Sequence, residues 1–237
     1  MSRLPRVTAR ELFFYCTIKN HSSMKKKQSD FSASLAVLRR DKKFAPLIKR
    51  YGPPVLHEYI GTTNVFESLL RSIIYQQLSG YTAKAIHERV IALFAGTKPT
   101  PAALLQIRTP HLRKAGLSLQ KISYVRDLAH KCIDGTVNDK LFVKMSSDEI
   151  VEHLVAVKGI GEWTAHMLLI FTLERLDVLP VGDLAIRKGF QAVYRLKTTP
   201  TKAKMELLAS KWRSHASIAS WYLWRVADDA KGPKKAK

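Results

Sequence analysis

From Phe66 onward the apolar residues recur at helical rather than strand spacing. Phe66, Leu69, Leu70, Ile73, Ile74 and Gln77 fall three or four positions apart, the stripe of a single helical face. Ala83, Ile86, Val90 and Phe94 resume that period after a break at Ser79-Gly80. Ile122, Val125, Leu128, Ala129 and Cys132 form another stripe, as do Ile150, Leu154 and Val157. No segment sustains the apolar–polar alternation of a half-buried strand. Helix starts are also marked. Thr100-Pro101, Thr109-Pro110 and Thr199-Pro200 each pair a hydroxyl able to cap with a proline suited to the first helical position. Ser146 and Glu149 have the spacing of a capping box. The pattern predicts an all-α chain of about ten helices. Its 237 residues suit one large domain or two interleaved small ones.

Lysine and arginine outnumber the acids 40 to 19, a formal charge of +21. So large an excess says little about fold but favours a polyanionic partner, because neutralising phosphates releases their counterions. The two cysteines, Cys16 and Cys132, cannot supply a four-thiolate iron–sulfur cluster or a zinc site of paired cysteines. They are expected as free thiols in a reducing compartment. No apolar run reaches membrane-spanning length, so neither secretion nor membrane insertion is expected.

The ends of the chain differ from its middle. Residues 1–30 carry Arg3, Arg6 and Arg10 before a short apolar patch, and Met24 then opens Lys25-Lys26-Lys27. This segment fits a transit peptide, a basic arm that touches DNA, or an extension upstream of a start at Met24. A flexible basic extension is the expectation. Residues 231–237, KGPKKAK, are expected to be a solvated basic tail. Residues 31–230 are left as the folded domain.

The segment Leu154 to Asp183 carries the chemistry. It reads as a helix, a tight turn with Gly159 and Gly161, a second helix from Glu162, a loop containing Pro180, and an aspartate at the start of a third helix. Glycine frees the backbone of such a turn where a side chain would obstruct it. The second helix begins with N–H groups that no helical carbonyl satisfies, which suits a phosphate. Taken alone, Gly-x-Gly is weak and Asp183 is an ordinary N-cap. The combination is sharper.

Lys158-Gly159-Ile160-Gly161, the flanking helices (hairpin 150–174), Pro180 and Asp183 together resemble the helix–hairpin–helix (HhH-GPD) DNA glycosylase superfamily. FESLLRSIIYQQLSGYTAKAI (66–86) is similar to that family's wedge-bearing helix–loop–helix, and LRKAGLSLQKISYVRDLA (112–129) to its Leu-x-x-x-Gly…Lys connector. SKWRSHASIASWYLWRVAD (210–228) resembles the closing helix of the alkylpurine branch, typified by 3-methyladenine DNA glycosylase II. It departs from that branch at Ser214-His215-Ala216, where proline and arginine are usual. The resemblance implies two interleaved helical subdomains with a cleft between them and no iron–sulfur cluster.

The same resemblance implies roles. Asp183 would be the catalytic carboxylate, stabilising an oxocarbenium-like sugar and orienting the attacking water, its ionised form favoured by the helix dipole. Trp163, Trp224 and Tyr75 would line the base pocket, an indole face attracting the positive charge of an alkylated purine. Trp212 and Trp221 are expected in the core. Gln77, Leu78 and Ser79 would form the wedge that fills the gap left by a flipped base, with Leu78 its apolar candidate. Backbone N–H groups of Gly159, Gly161 and Trp163-Thr164 would hold phosphate, with Lys158 adding a side-chain contact. The carbonyls of Val155, Val157 and Ile160 would hold a Na⁺ or K⁺ ion, and no other cofactor is required. Family members that also cut the strand carry a lysine where this chain has Trp163, so no β-elimination nucleophile is expected.

The expected function is therefore a monofunctional DNA N-glycosylase of base excision repair. It would remove 3-methyladenine- and 7-methylguanine-type purines from double-stranded DNA, acting as a monomer and leaving an abasic site. It would be associated with DNA in the cytoplasm of a bacterium or in the nucleus of a eukaryote. The alternative is a helix–hairpin–helix DNA-binding or damage-sensing protein without catalysis, which would need the hairpin but not the carboxylate.

Overall fold

The computed structural model describes residues 31–54, 56 and 64–230. The expectations for residues 1–30 and 231–237 fall outside these. Among the described residues the chain forms thirteen α-helices, one 3₁₀ turn and no strand. In chain order the helices are α1 (Ser32–Arg39), α2 (Ala45–Tyr51), α3 (Val65–Tyr75), α4 (Gly80–Ala92), α5 (Pro101–Gln106), α6 (Thr109–Ala115) and α7 (Leu119–Ile133). They continue as α8 (Asp139–Phe142), α9 (Ser147–Val155), α10 (Glu162–Phe171), α11 (Leu184–Tyr194), α12 (Lys202–Ala209) and α13 (Ala216–Asp229). The count exceeds ten because several are one or two turns long, too short to carry a full period of apolar residues. The helices divide between two units, the first holding α3–α10 and the second α1, α2 and α11–α13.

In the first unit α3 is the central element, packed by α4, α7 and α10. Asn64 caps it, its side chain accepting the Glu67 N–H at 2.9 Å. The apolar stripe predicts one buried face, yet every residue of α3 except Glu67 is buried. Ser68, Arg71 and Ser72 go inside with the stripe. The serines are admitted because they are satisfied locally: Ser72 Oγ donates to the Ser68 carbonyl at 2.8 Å, and Ser68 and Thr172 hydroxyls pair at 2.8 Å. α3 also stops short of the stripe's last member. Gln76 leaves helical conformation, and Gln77 sits exposed at φ 58 in the left-handed region.

Two of the four helix starts marked in the sequence hold: Thr100 caps α5, and Ser146 with Glu149 closes a capping box on α9, while Ser118, unmarked in the sequence, caps α7. Two starts shift. Arg108 precedes α6, so Thr109 is its first residue, and its hydroxyl accepts from the Arg126 guanidinium at 3.2 Å. The cap of α12 is Thr201 rather than Thr199.

The second unit centres on α11 packed against α13. Their backbones nearly touch at Gly189, where an added Cβ would lie 2.5 Å from the Leu223 carbonyl oxygen. Around this crossing, Trp212 stacks on Phe190 with ring centres 6.0 Å apart and meets Phe44 edge-on at 5.4 Å. Trp212 Nε1 donates to Tyr194 Oη at 3.4 Å, and Tyr194 to Asp41 at 3.2 Å. Trp212 and Trp221 are both buried, as expected of core anchors. Ser214 takes a left-handed φ of 69, and the His215 ring bonds Ser34 on α1 at 2.9 Å. The bend that departs from the alkylpurine pattern thus ties α1 to the start of α13.

Candidate active site

Each unit contributes candidate residues. In the second, the loop after residue 173 is pinned to the start of α13 through Ser217. Its hydroxyl donates to the Arg175 carbonyl at 2.5 Å and accepts the Val178 N–H at 3.1 Å, while its own N–H reaches the Leu176 carbonyl at 2.9 Å. The chain turns at Pro180, whose carbonyl accepts the Asp183 N–H at 2.9 Å. Asp183 then caps α11 and is only 5% exposed. Its Oδ1 accepts two hydrogen bonds, from the Ile186 N–H at 2.8 Å and from the Trp224 indole N–H at 3.2 Å. A carboxylate so held cannot rotate freely, and it sits at the positive end of a helix. Trp224 is 1% exposed. Its indole therefore has a task that its place in the sequence did not suggest: gripping the carboxylate across the α11–α13 packing.

In the first unit the turn between α9 and α10 is closed by the Val157 N–H to the Leu154 carbonyl and the Ile160 N–H to the Val157 carbonyl, both 3.1 Å. The two glycines do different work. Gly159 has φ 79, and a Cβ there would strike the Tyr124 ring at 2.2 Å. Gly161 is extended (φ −101) with open space where its Cβ would be, and it caps α10. Only Gly159 is required by the turn itself; at Gly161 the missing side chain leaves the helix start open to whatever approaches. The helical ladder begins with the Ala165 N–H on the Gly161 carbonyl at 3.1 Å, so the preceding N–H groups lie outside it. Thr164 is buried, and its N–H is among those that precede the ladder. Trp163 is half-buried in the first turn.

Lys158 is exposed, but its N–H donates to Asp127 Oδ2 at 2.8 Å, and its ammonium lies 3.8 Å from Asp127 Oδ1. Asp127 was missed by sequence reasoning, as were two other residues at this turn, Tyr124 and Gln76. Tyr124 packs against Gly159. The Gln76 side-chain amide donates to the Gly159 carbonyl at 2.7 Å. Lys121 gives its ammonium to the carbonyls of Ile74 at 2.6 Å and Gln76 at 2.7 Å, and burial pulls its pKa down to about 8. The Lys of the connector motif was visible; that its partners are carbonyls was not, since carbonyls leave no mark in a sequence. Of the three residues whose carbonyls were expected to hold a cation, Val155 is exposed while Val157 and Ile160 are buried. The Val157 carbonyl keeps a second lone pair beyond the one given to Ile160. Three neutral oxygens suit a monovalent ion better than a divalent one.

The wedge loop separates its three candidates. Ser79 is occupied as the cap of α4, accepting the Thr82 N–H at 3.3 Å. Leu78 is half-buried, and Gln77 is exposed at the tip. Tyr75 is buried, with the Arg71 guanidinium over its ring at 4.1 Å and His87 edge-on at 6.0 Å. One ring face is therefore already taken. Burial, with the Arg71 charge adding to it, lowers the His87 pKa to about 4. An unfolded chain takes up that proton near pH 6.5, so stability is lost as pH falls from about 6.5 toward 4. The full contribution is on the order of 3 kcal/mol. His87→Gln is expected to flatten the fall of Tm with acid across that window, measured by thermal unfolding; an unchanged slope would remove His87 from the account.

The chain matches a family model described as "HhH-GPD superfamily base excision DNA repair protein" over residues 70–214. It is 33% identical over 188 residues to DNA-3-methyladenine glycosylase 1 of Schizosaccharomyces pombe, covering 78% of this chain and 81% of that protein. Among solved structures it is similar to a DNA-3-methyladenine glycosidase from Bacillus halodurans, with 30% identity, a TM-score of 0.75, and coverage of 88% and 95% of the two chains. It is also similar to the Schizosaccharomyces pombe 3-methyladenine DNA glycosylase in complex with abasic DNA, with 31% identity, a TM-score of 0.70, and coverage of 86% and 100%.

Proposed function

This chain belongs to the HhH-GPD superfamily of base excision DNA repair proteins, and from that premise we propose that it is a DNA N-glycosylase that excises alkylated purines. It works on double-stranded DNA as a monomer and releases the damaged base without cutting the strand. The observation that carries this reading is Asp183: a buried carboxylate held on one oxygen by a helix N-terminus and an indole N–H. A protein that only bound DNA would need no negative charge at this helix start, only a cap, which serine, threonine or asparagine could supply as well. Support for the substrate class comes from the relatives named as 3-methyladenine glycosylases.

The chemistry follows from the charge. A purine methylated at N3 or N7 is cationic, and breaking its bond to C1′ gives the electron pair to the base, which leaves neutral. No strong general acid is needed. The sugar is left oxocarbenium-like, and the Asp183 carboxylate stabilises that charge in a site where water is scarce. Water adds to C1′ and loses a proton, with Asp183 orienting it. Products are the free base and an abasic site. Trp163 stands where strand-cutting members of the family carry lysine, so the abasic site meets no amine from this turn. Trp163, Trp224 and Tyr75 serve the base, Gln77 with its neighbours Leu78 and Ser79 fills the gap, and N–H groups of Gly159, Gly161 and Thr164 meet phosphate with Lys158 beside them. A Na⁺ or K⁺ ion on the carbonyls of Val155, Val157 and Ile160 would add positive charge there.

The test is release of free base from methylated duplex DNA, with the strands examined before and after alkali. Base release with breaks only after alkali is expected. Breaks without alkali would mean a lyase, and tight binding to damaged DNA without release would favour the non-catalytic alternative. Trp224→Phe keeps the ring but removes the donor to Asp183, and is expected to slow single-turnover release about tenfold at unchanged Tm. An unaltered rate would detach the indole N–H from catalysis.

A further inference from the structure

Helix α7 presents three side chains on one ridge, at i, i+3 and i+6, and all three go to two loops of the first unit, the one after α3 and the hairpin turn before α10. Lys121 donates to the carbonyls of Ile74 and Gln76, the residues that end α3 and lead into the wedge loop. Tyr124 fills the space beside Gly159 in the hairpin turn. Asp127 accepts the Lys158 N–H of the same turn. The loops are also joined to each other, by the Gln76 amide on the Gly159 carbonyl. We propose that α7 is a brace that fixes the wedge loop against the hairpin, and that Lys121 is the positioning residue that holds Gln77 at the angle needed to enter a duplex. The proposal rests on the reading of the chain as a base-flipping glycosylase.

The physical need for a brace lies in Gln77. A non-glycine residue at φ 58 is held in a sparsely populated conformation, and such residues persist when the surroundings over-determine them. The helix that precedes Gln77 ends in carbonyls carrying partial negative charge. Lys121 sets a cation on two of them, one on either side of Tyr75, and so fixes where the chain departs. An exposed tip anchored in this way can push into a base stack without folding back. The hairpin, gripped from the same helix, sets how far the tip lies from the phosphate it would anchor. Both distances then depend on one rigid element, the arrangement that accurate placement requires.

The wedge matters only where a base must be taken from a paired stack. Lys121→Met is therefore expected to slow excision of a methylated purine from duplex DNA by about tenfold or more, as misplacement of a positioning group does. Excision of the same lesion from single-stranded DNA should change far less, and Lys121→Arg should recover most of the duplex rate because its guanidinium can reach both carbonyls. Gln76→Leu, which cuts the tie to Gly159 at a less buried position, should show the same duplex-selective loss. A second readout needs no catalysis: 2-aminopurine placed beside an abasic analogue in duplex DNA brightens when a wedge unstacks it. Wild-type protein is expected to brighten it, and Lys121→Met and Gln76→Leu to do so much less at saturating protein. Equal brightening by all three proteins, or equal loss on single- and double-stranded substrates, would overturn the brace. Failure of the wild type to release any base, with the brightening pattern intact, would instead strike the glycosylase reading and leave the brace standing.

Discussion

Asp183→Asn is expected to reduce base release by at least about a hundredfold, the scale lost when one preorganised charge-stabilising group is removed, while binding to abasic-site DNA survives. Asparagine has the same shape, and its side-chain oxygen can still accept the Ile186 N–H and the Trp224 indole N–H that hold Asp183. The cap of α11 and the packing of Trp224 should therefore persist. What disappears is the negative charge that would meet the developing oxocarbenium ion. Single-turnover release, Tm and affinity for an abasic analogue, measured on the same preparation, separate the two effects. Normal release by the variant would return Asp183 to a purely capping role.

The second large effect is structural. Gly189→Val should cost about 3 kcal/mol or more, lowering Tm by about 6 °C or more for a chain of this size. A Cβ at this position would meet the Leu223 carbonyl oxygen at 2.5 Å and the Leu223 carbonyl carbon at 2.9 Å. Backbone atoms cannot rotate away as a side chain can, so α11 and α13 would have to separate. Those helices carry Asp183 at the start of one and Trp224 near the middle of the other. Excision should fall further than the loss of folded protein explains, because the indole N–H retreats from the carboxylate. A Tm within 2 °C of wild type would show that the crossing has slack the structure does not reveal.

How much of this was legible in the sequence depends on whether a residue's partner is near in the chain. The stripes through α3, α4, α7 and α9 were readable because each repeats within its own helix. The caps Asn64, Ser118 and Thr201 act within three residues, yet the threonine–proline pairs misplaced two starts. Proline is tolerated in the first turn without fixing which residue precedes it. Asp183 was recognisable as a cap, because its acceptor role is local. Its bond to Trp224 spans 41 positions and had no sequence sign. The stripe also could not show that Ser68, Arg71 and Ser72 are buried, since a helix enclosed on all sides can take polar residues wherever a partner or a ring face waits. Gln77 continued the helical period by coincidence; Gln76 had already left the helix.

The second unit joins α1 and α2 to α11–α13, with all of α3–α10 intervening in the chain. Phe44 meets Trp212 and Tyr222, and the Tyr222 hydroxyl donates to the Gly52 carbonyl across 170 positions. A ribosome delivers these partners far apart in time. The first unit, continuous from residue 64 to 173, can order itself while α1 and α2 wait. Closing the second core then carries the loop entropy of everything between. The hairpin is thus ready early and the carboxylate late: a nascent chain can hold the turn proposed to meet phosphate before it owns the group that would act on a nucleotide.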